Sequence, residues 1–168
     1  MRLEPTASQT VGPFFHFCLT QQPKGCLTGA GERIRVEFRV CDGDGAAVDD
    51  AMIEIWQADA DGNYDSSAFH GFGRLATDGD GRCVFETVKP GRVELQAPHI
   101  NVCIFARGLL KHLVSRVYFA GDAANVDDPV LPLVAENRRE TLMACLDQGV
   151  WKFDIRLSGE GETVFFDV

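Results

Sequence analysis

Arg33-Ile34-Arg35-Val36-Glu37-Phe38-Arg39-Val40 alternates charged and apolar side chains without a fault. Side chains on a strand point to opposite faces every second residue, so this stretch reads as a β-strand. Ile34, Val36, Phe38 and Val40 face a core and the charges face water. Asp42-Gly43-Asp44-Gly45 turns the chain, and Met52-Ile53-Glu54-Ile55-Trp56 resumes the extended pattern. Further turns at Asp59-Ala60-Asp61-Gly62, Asp78-Gly79-Asp80-Gly81 and Lys89-Pro90-Gly91 bracket short strands near 82–87, 100–106 and 113–119. Trp151-Lys152-Phe153-Asp154-Ile155-Arg156-Leu157 alternates again, and 163–168 reads as a closing strand. Only 136–146 reads as helix, with Leu142, Cys145 and Leu146 on one stripe. Many short strands with a single short helix predict an all-β sandwich or barrel.

The length, 168 residues, is that of one domain, here taken as 1–168 with residues 1–30 as an N-terminal arm. A chain of this size buries about 70% of its unfolded surface in a single core. Sixteen Lys and Arg against twenty-five Asp and Glu leave a formal charge of -9, which argues against nucleic acid and anionic membrane surfaces as partners. The N-terminus lacks an apolar signal-like run, and no later stretch approaches the roughly 20 apolar residues of a membrane span, so a cytoplasmic location is expected. Six scattered cysteines form no C-x-x-C pair and read as reduced thiols.

The chemistry-bearing strand is Gln96-Ala97-Pro98-His99-Ile100-Asn101-Val102-Cys103-Ile104-Phe105. His99 and Asn101 share a face, the arrangement of a His-x-His metal pair, but the second imidazole is a carboxamide, a poor transition-metal ligand. Four histidines (His16, His70, His99, His112) and two tyrosines (Tyr64, Tyr118) are all the chain has to make up the deficit. Tyr118 lies in an apolar strand, where a phenol packs with its hydroxyl on a neighbour. No metal is expected in this chain.

Thr6-Ala7-Ser8-Gln9-Thr10-Val11-Gly12-Pro13-Phe14-Phe15-His16, then Ile53 through Tyr64 with its Trp56-Gln57-Ala58 core, then Ala97-Pro98-His99, Phe105-Ala106-Arg107-Gly108 and Gly159 through Asp167, together resemble the intradiol aromatic-ring dioxygenases. The resemblance implies a prealbumin-like (transthyretin-like) β-sandwich. It is to the α-type subunits of that family, which hold no iron and pair with a homologous catalytic β subunit. That partner holds Fe(III) through two tyrosinates and two histidines. The present sequence is read as departing at three of those four places: 65–73, where the first tyrosine is expected, Arg92-Val93-Glu94-Leu95, where the second is expected, and Asn101. His99 alone then survives, and His99 with Asn101 forms a vestigial metal site.

What the resemblance implies for function is borrowed chemistry, with no catalytic residue in this chain. Its expected substrate is protocatechuate, cleaved with O2 to 3-carboxy-cis,cis-muconate in the partner's site. Thr10, Gly12, Pro13 and Phe14 are implied to line that site, and Arg107 to meet the substrate carboxylate, since a guanidinium offers two parallel hydrogen bonds. Eight residues of strand put Arg107 roughly 26 Å from His99, too far to share one site. The bland reading of Arg107 is a surface residue paired with a carboxylate. The rival reading of the chain is a metal-free, self-associating binding or structural sandwich. Connections at 21–32 and 91–97 look short for the family.

Overall fold

The computed structural model describes residues 7, 9, 10, 12, 14–64 and 66–167. Eight strands carry the fold: β1 Arg33–Cys41, β2 Met52–Gln57, β3 Phe72–Ala76, β4 Arg82–Val88, β5 His99–Phe105, β6 Leu113–Phe119, β7 Met143–Asp147 and β8 Val150–Arg156. They form one sheet in the order β3-β2-β5-β6-β7-β8-β1-β4. β1 pairs antiparallel with β4 and parallel with β8, which places the opening stretch of the sequence in the middle of one half of the sheet. Its alternation reads out as expected: Val36, Phe38 and Val40 are fully buried, and Ile34 nearly so. Phe38 meets Phe85 and Phe153 edge to face, with centroids 5.6 and 5.9 Å apart, the geometry that aromatic quadrupoles favour.

The two edge strands do not remain open. Lys24 exchanges backbone hydrogen bonds with Arg74 of β3 (2.9 and 3.0 Å), while the Gly25 carbonyl and Leu27 amide bond Glu86 of β4 (2.7 and 2.8 Å). Residues 24–27 thereby stitch one rim of the sheet to the other. Three turns share one local device. The first aspartate of each, Asp42, Asp59 and Asp78, accepts from the amides two and four residues on at 2.9–3.0 Å. Asp side chains that satisfy their own turn favour it over helix, which accounts for the repeated Asp-x-Asp-Gly pattern.

Two elements differ from the sequence reading. Residues 136–146 are not one helix: a 3₁₀ segment, Glu136–Leu142, ends where β7 begins. Of the supposed stripe only Leu142 is buried, and Cys145 and Leu146 lie on a strand whose backbone is paired with β8. Tertiary pairing overrides a three-residue helical pattern there. Among the described residues the single α-helix is instead α1, Phe14–Leu19. The closing segment makes one isolated bridge, Phe166 to Val114, rather than a full strand. Beneath the 3₁₀ segments a second small core gathers Ala97, Tyr118, Leu131, Val134 and Leu142.

Candidate functional site

β5 sorts its side chains strictly: Ile100, Val102 and Ile104 enter the main core, and His99, Asn101, Cys103 and Phe105 take the other face. His99 is buried and held on several sides. Its Nδ1–H donates to the Ala97 carbonyl at 2.8 Å, which leaves Nε2 as the acceptor of a neutral imidazole. The Ala97 amide donates to the Asp128 carboxylate at 2.8 Å, and Tyr118, whose ring lies 5.9 Å from the imidazole, gives its hydroxyl to the same carboxylate at 3.3 Å. Asp128 also accepts from the Val130 and Leu131 amides. Burial works against charge on Asp128, but the backbone bonds outweigh it and hold the carboxyl below its ordinary range. Burial lowers the His99 pKa and pushes the Tyr118 phenol up to about 12.

Sequence reasoning named Tyr64 as the end of the Trp56 motif but did not place it beside His99. Trp56 stands opposite Asn101 in the β2–β5 register, and the Asp59 turn folds the chain back so that the Tyr64 ring stacks on Trp56 (5.8 Å, 19°). Gly62 makes that turn with φ +87°, and a side chain there would run into the Arg92 carbonyl. The Tyr64 hydroxyl arrives 3.5 Å from His99 Nε2 and accepts from Asn101 Nδ2 at 2.9 Å; the same amide donates to the Trp56 carbonyl at 3.3 Å. The sequence reading sought the first tyrosine in 65–73 and counted His99 as the lone survivor. The structure corrects this: a phenol and an imidazole remain together, and Asn101 joins them by hydrogen bond. The available signal was Tyr64's place at the end of the Trp56 motif, one turn away in sequence from the strand that faces β5.

At the far end of β5 a second cluster forms. Phe15 of α1 packs on Phe105 with centroids 6.4 Å apart, and His112 stacks on the same ring at 5.4 Å. His16 and Phe17 line a small cavity of about 250 Å³ with Asp49, Asp50 and Arg107. Arg107 is exposed, and its Nε donates to the Asp50 carboxylate. His99 opens β5 and Arg107 lies just past its other end, so the two stand at opposite ends of one strand. Thr10, Gly12 and Phe14 are exposed, with nothing within 4 Å of where a Gly12 side chain would begin. Pro13 lies outside the described residues.

Residues 15–159 match the family described as Dioxygenase. The chain is 43% identical to the protocatechuate 3,4-dioxygenase alpha chain of Burkholderia cepacia, over 99% of this chain and 98% of that one. This chain belongs to the intradiol dioxygenase family. The alpha chain of Pseudomonas putida is 44% identical over 98% of this chain and 97% of the relative. The Burkholderia cepacia beta chain of the same enzyme is 32% identical over 93% of this chain and 77% of its own length. Among solved structures, the dioxygenase domain of a carbohydrate-binding fusion from Streptomyces sp. SirexAA-E superposes with a TM-score of 0.68 at 26% identity, covering 93% of this chain and 99% of that domain.

An intradiol dioxygenase implies a ferric ion, and the residues on this face do not fit one. Burial raises the Tyr64 pKa, and its hydroxyl is engaged with Asn101 and His99. Asn101 points its N–H at the phenol oxygen instead of offering a lone pair. No group of three or more His, Cys, Asp or Glu that could hold a metal exists among the described residues. The site is a satisfied hydrogen-bond cluster with one neutral imidazole nitrogen.

Proposed function

We propose that this chain is the α subunit of a protocatechuate 3,4-dioxygenase, working in the cytoplasm against a homologous β subunit that holds the iron. The reading rests on near full-length likeness to two alpha chains. Beside that likeness, His16 and Phe17, which follow positions 10–14 in the chain, line one small cavity with Arg107. In this reading residues 1–168 are one prealbumin-like sandwich whose arm, through Thr10, Gly12, Pro13 and Phe14, walls the partner's pocket. Gly12 lets backbone approach a planar ligand closely, and Pro13 presents no N–H.

The reaction breaks the ring bond between the two hydroxyl-bearing carbons, gives each of them one atom of O2, and yields 3-carboxy-cis,cis-muconate. The partner's iron activates the bound catechol toward O2. The contribution of this chain is binding and exclusion of water: the arm covers the ring, and Arg107 meets the carboxylate with its guanidinium. His99, Asn101 and Tyr64 form a vestigial site and take no part.

Co-expression with a β-type subunit tests this. Iron and protocatechuate-dependent O2 uptake are expected in the complex and in neither chain alone, and Arg107→Ala should weaken substrate affinity while iron content is kept. Turnover by the isolated chain, or no turnover by the complex, would refute it.

A further inference from the structure

We infer that Asp50 is a positioning residue for Arg107, fixing its guanidinium so that the two terminal nitrogens form a receptor for a substrate carboxylate. This rests on the function proposed above. The Asp50 carboxylate takes only Nε of Arg107, and among the described residues neither terminal nitrogen has any other partner. A guanidinium meets a carboxylate in two-point fashion along either of two edges; with Nε engaged, the edge formed by the two terminal nitrogens stays open. Arg107 lines a small cavity with His16, Phe17, Asp49 and Asp50, large enough for a single ring or its carboxyl group.

The direction of control follows from how each partner is anchored. Arg107 leaves the end of β5 and its side chain is 62% exposed, while that of Asp50 is 23% exposed. Asp50 sits between two residues pinned by one buried hydroxyl. Thr77 Oγ1 donates to the Val48 carbonyl at 2.8 Å and accepts from the Ala51 amide at 3.0 Å, and the Thr77 amide bonds the Ala51 carbonyl at 2.9 Å. The carboxylate is thus the fixed point and the long, rotamer-rich arginine the group that is held. An arginine already oriented loses less freedom on meeting its ligand than one that is not. Asp50 is itself negative and sits on the side of the guanidinium away from the open edge. Its repulsion of a ligand carboxylate is weakened by distance and by solvent, so orientation outweighs charge.

The test uses the αβ complex and compares the KM for protocatechuate with the inhibition constant of catechol, which lacks the carboxyl group. Asp50→Ala should raise the former by roughly threefold to tenfold relative to the latter. Protocatechuate kcat should be nearly unchanged, because the clamp binds ground and transition states alike. Asp50→Asn keeps an oxygen acceptor in place and should return the ratio to within about twofold of the parent. Iron content and α:β stoichiometry confirm that each complex is intact. An unchanged or lowered ratio in Asp50→Ala overturns the assignment, as does failure of Asp50→Asn to restore it. Arg107→Ala separates the two claims. If it too leaves the ratio unchanged, the arginine clamp of the proposed function fails. If it raises the ratio while Asp50→Ala does not, only the positioning role is lost.

Discussion

Removing the Asp128 carboxylate should cost this fold more than any other single polar substitution. The side chain is 1% exposed and accepts from Ala97 N at 2.8 Å, Val130 N at 2.8 Å, Leu131 N at 2.9 Å and the Tyr118 hydroxyl at 3.3 Å. Hydrogen bonds to a charged acceptor contribute about 1.5–3 kcal/mol each, and a buried donor left unpaired costs about 1–3 kcal/mol. The three amides do not add independently, and water entering the gap recovers part of the loss, so Asp128→Ala is expected to cost about 3–5 kcal/mol. Against a typical 5–15 kcal/mol for a domain, that is a large share. At about 2–4 °C per kcal/mol it corresponds to a fall of roughly 6–20 °C in Tm. Tyr118→Phe deletes only the longest of the four bonds and should cost about 1 kcal/mol. Urea unfolding with unchanged m-value is the assay. The carboxyl is held below its usual range, so its stabilisation is complete above the unfolded value near 3.8 and is lost as pH falls through the lower folded value. The acid limb of the parent's stability curve should therefore be steeper than that of Asp128→Asn. A loss under about 1 kcal/mol in Asp128→Ala would refute the account of Asp128 as the anchor of this corner.

Further outcomes follow from the other contacts of the structure. Burial lowers the His99 pKa from an ordinary 6.5, so below that value the unfolded chain takes up a proton that the folded one refuses. Stability should then fall with pH through the window beneath 6.5, by up to about 1.4 kcal/mol per pH unit, and His99→Gln should flatten the Tm profile between pH 7 and 5. Gly62→Ala sets a side chain against the Arg92 carbonyl at a positive φ and should cost about 2 kcal/mol or more, read by thermal melting, with the Trp56 fluorescence shifting as Tyr64 leaves its stack. Phe14 is 76% exposed and Phe15 packs on Phe105, so in the isolated chain Phe15→Ala should lower Tm while Phe14→Ala should not. In the αβ complex Phe14→Ala should raise the KM for protocatechuate.

How much of this was legible beforehand depended on whether the deciding interactions were local. The alternation of Arg33 to Val40 needed no tertiary information, because one wet face and one dry face impose period two on any sequence that fills them. The Asp-x-Asp-Gly turns were equally local, since each aspartate bonds its own loop. The same holds for the separation of His99 from Arg107, a matter of counting residues along a strand. Residues 136–146 failed because Leu142, Cys145 and Leu146 fit a helical stripe as well as a strand, and the arbiter was β8, far away in space until the sheet closed. Tyr64 failed for a related reason. Its distance to His99 is set by the β2–β5 register and by the Gly62 turn, neither of which spacing along the chain reports. α1 lay within the stretch read as an arm, and its six residues bury nothing fully.

The stitching of both rims of the sheet by 24–27 bears on how such a molecule can multiply into larger particles. Free backbone donors and acceptors along a rim invite a neighbour to add its own strand, the route to fibrils and exchanged segments. With that route interrupted at Arg74 of β3 and Glu86 of β4, side chains meeting face on carry more of any association. Assembly then becomes a matter of shape and charge, which evolution can tune residue by residue without opening the way to runaway polymerisation.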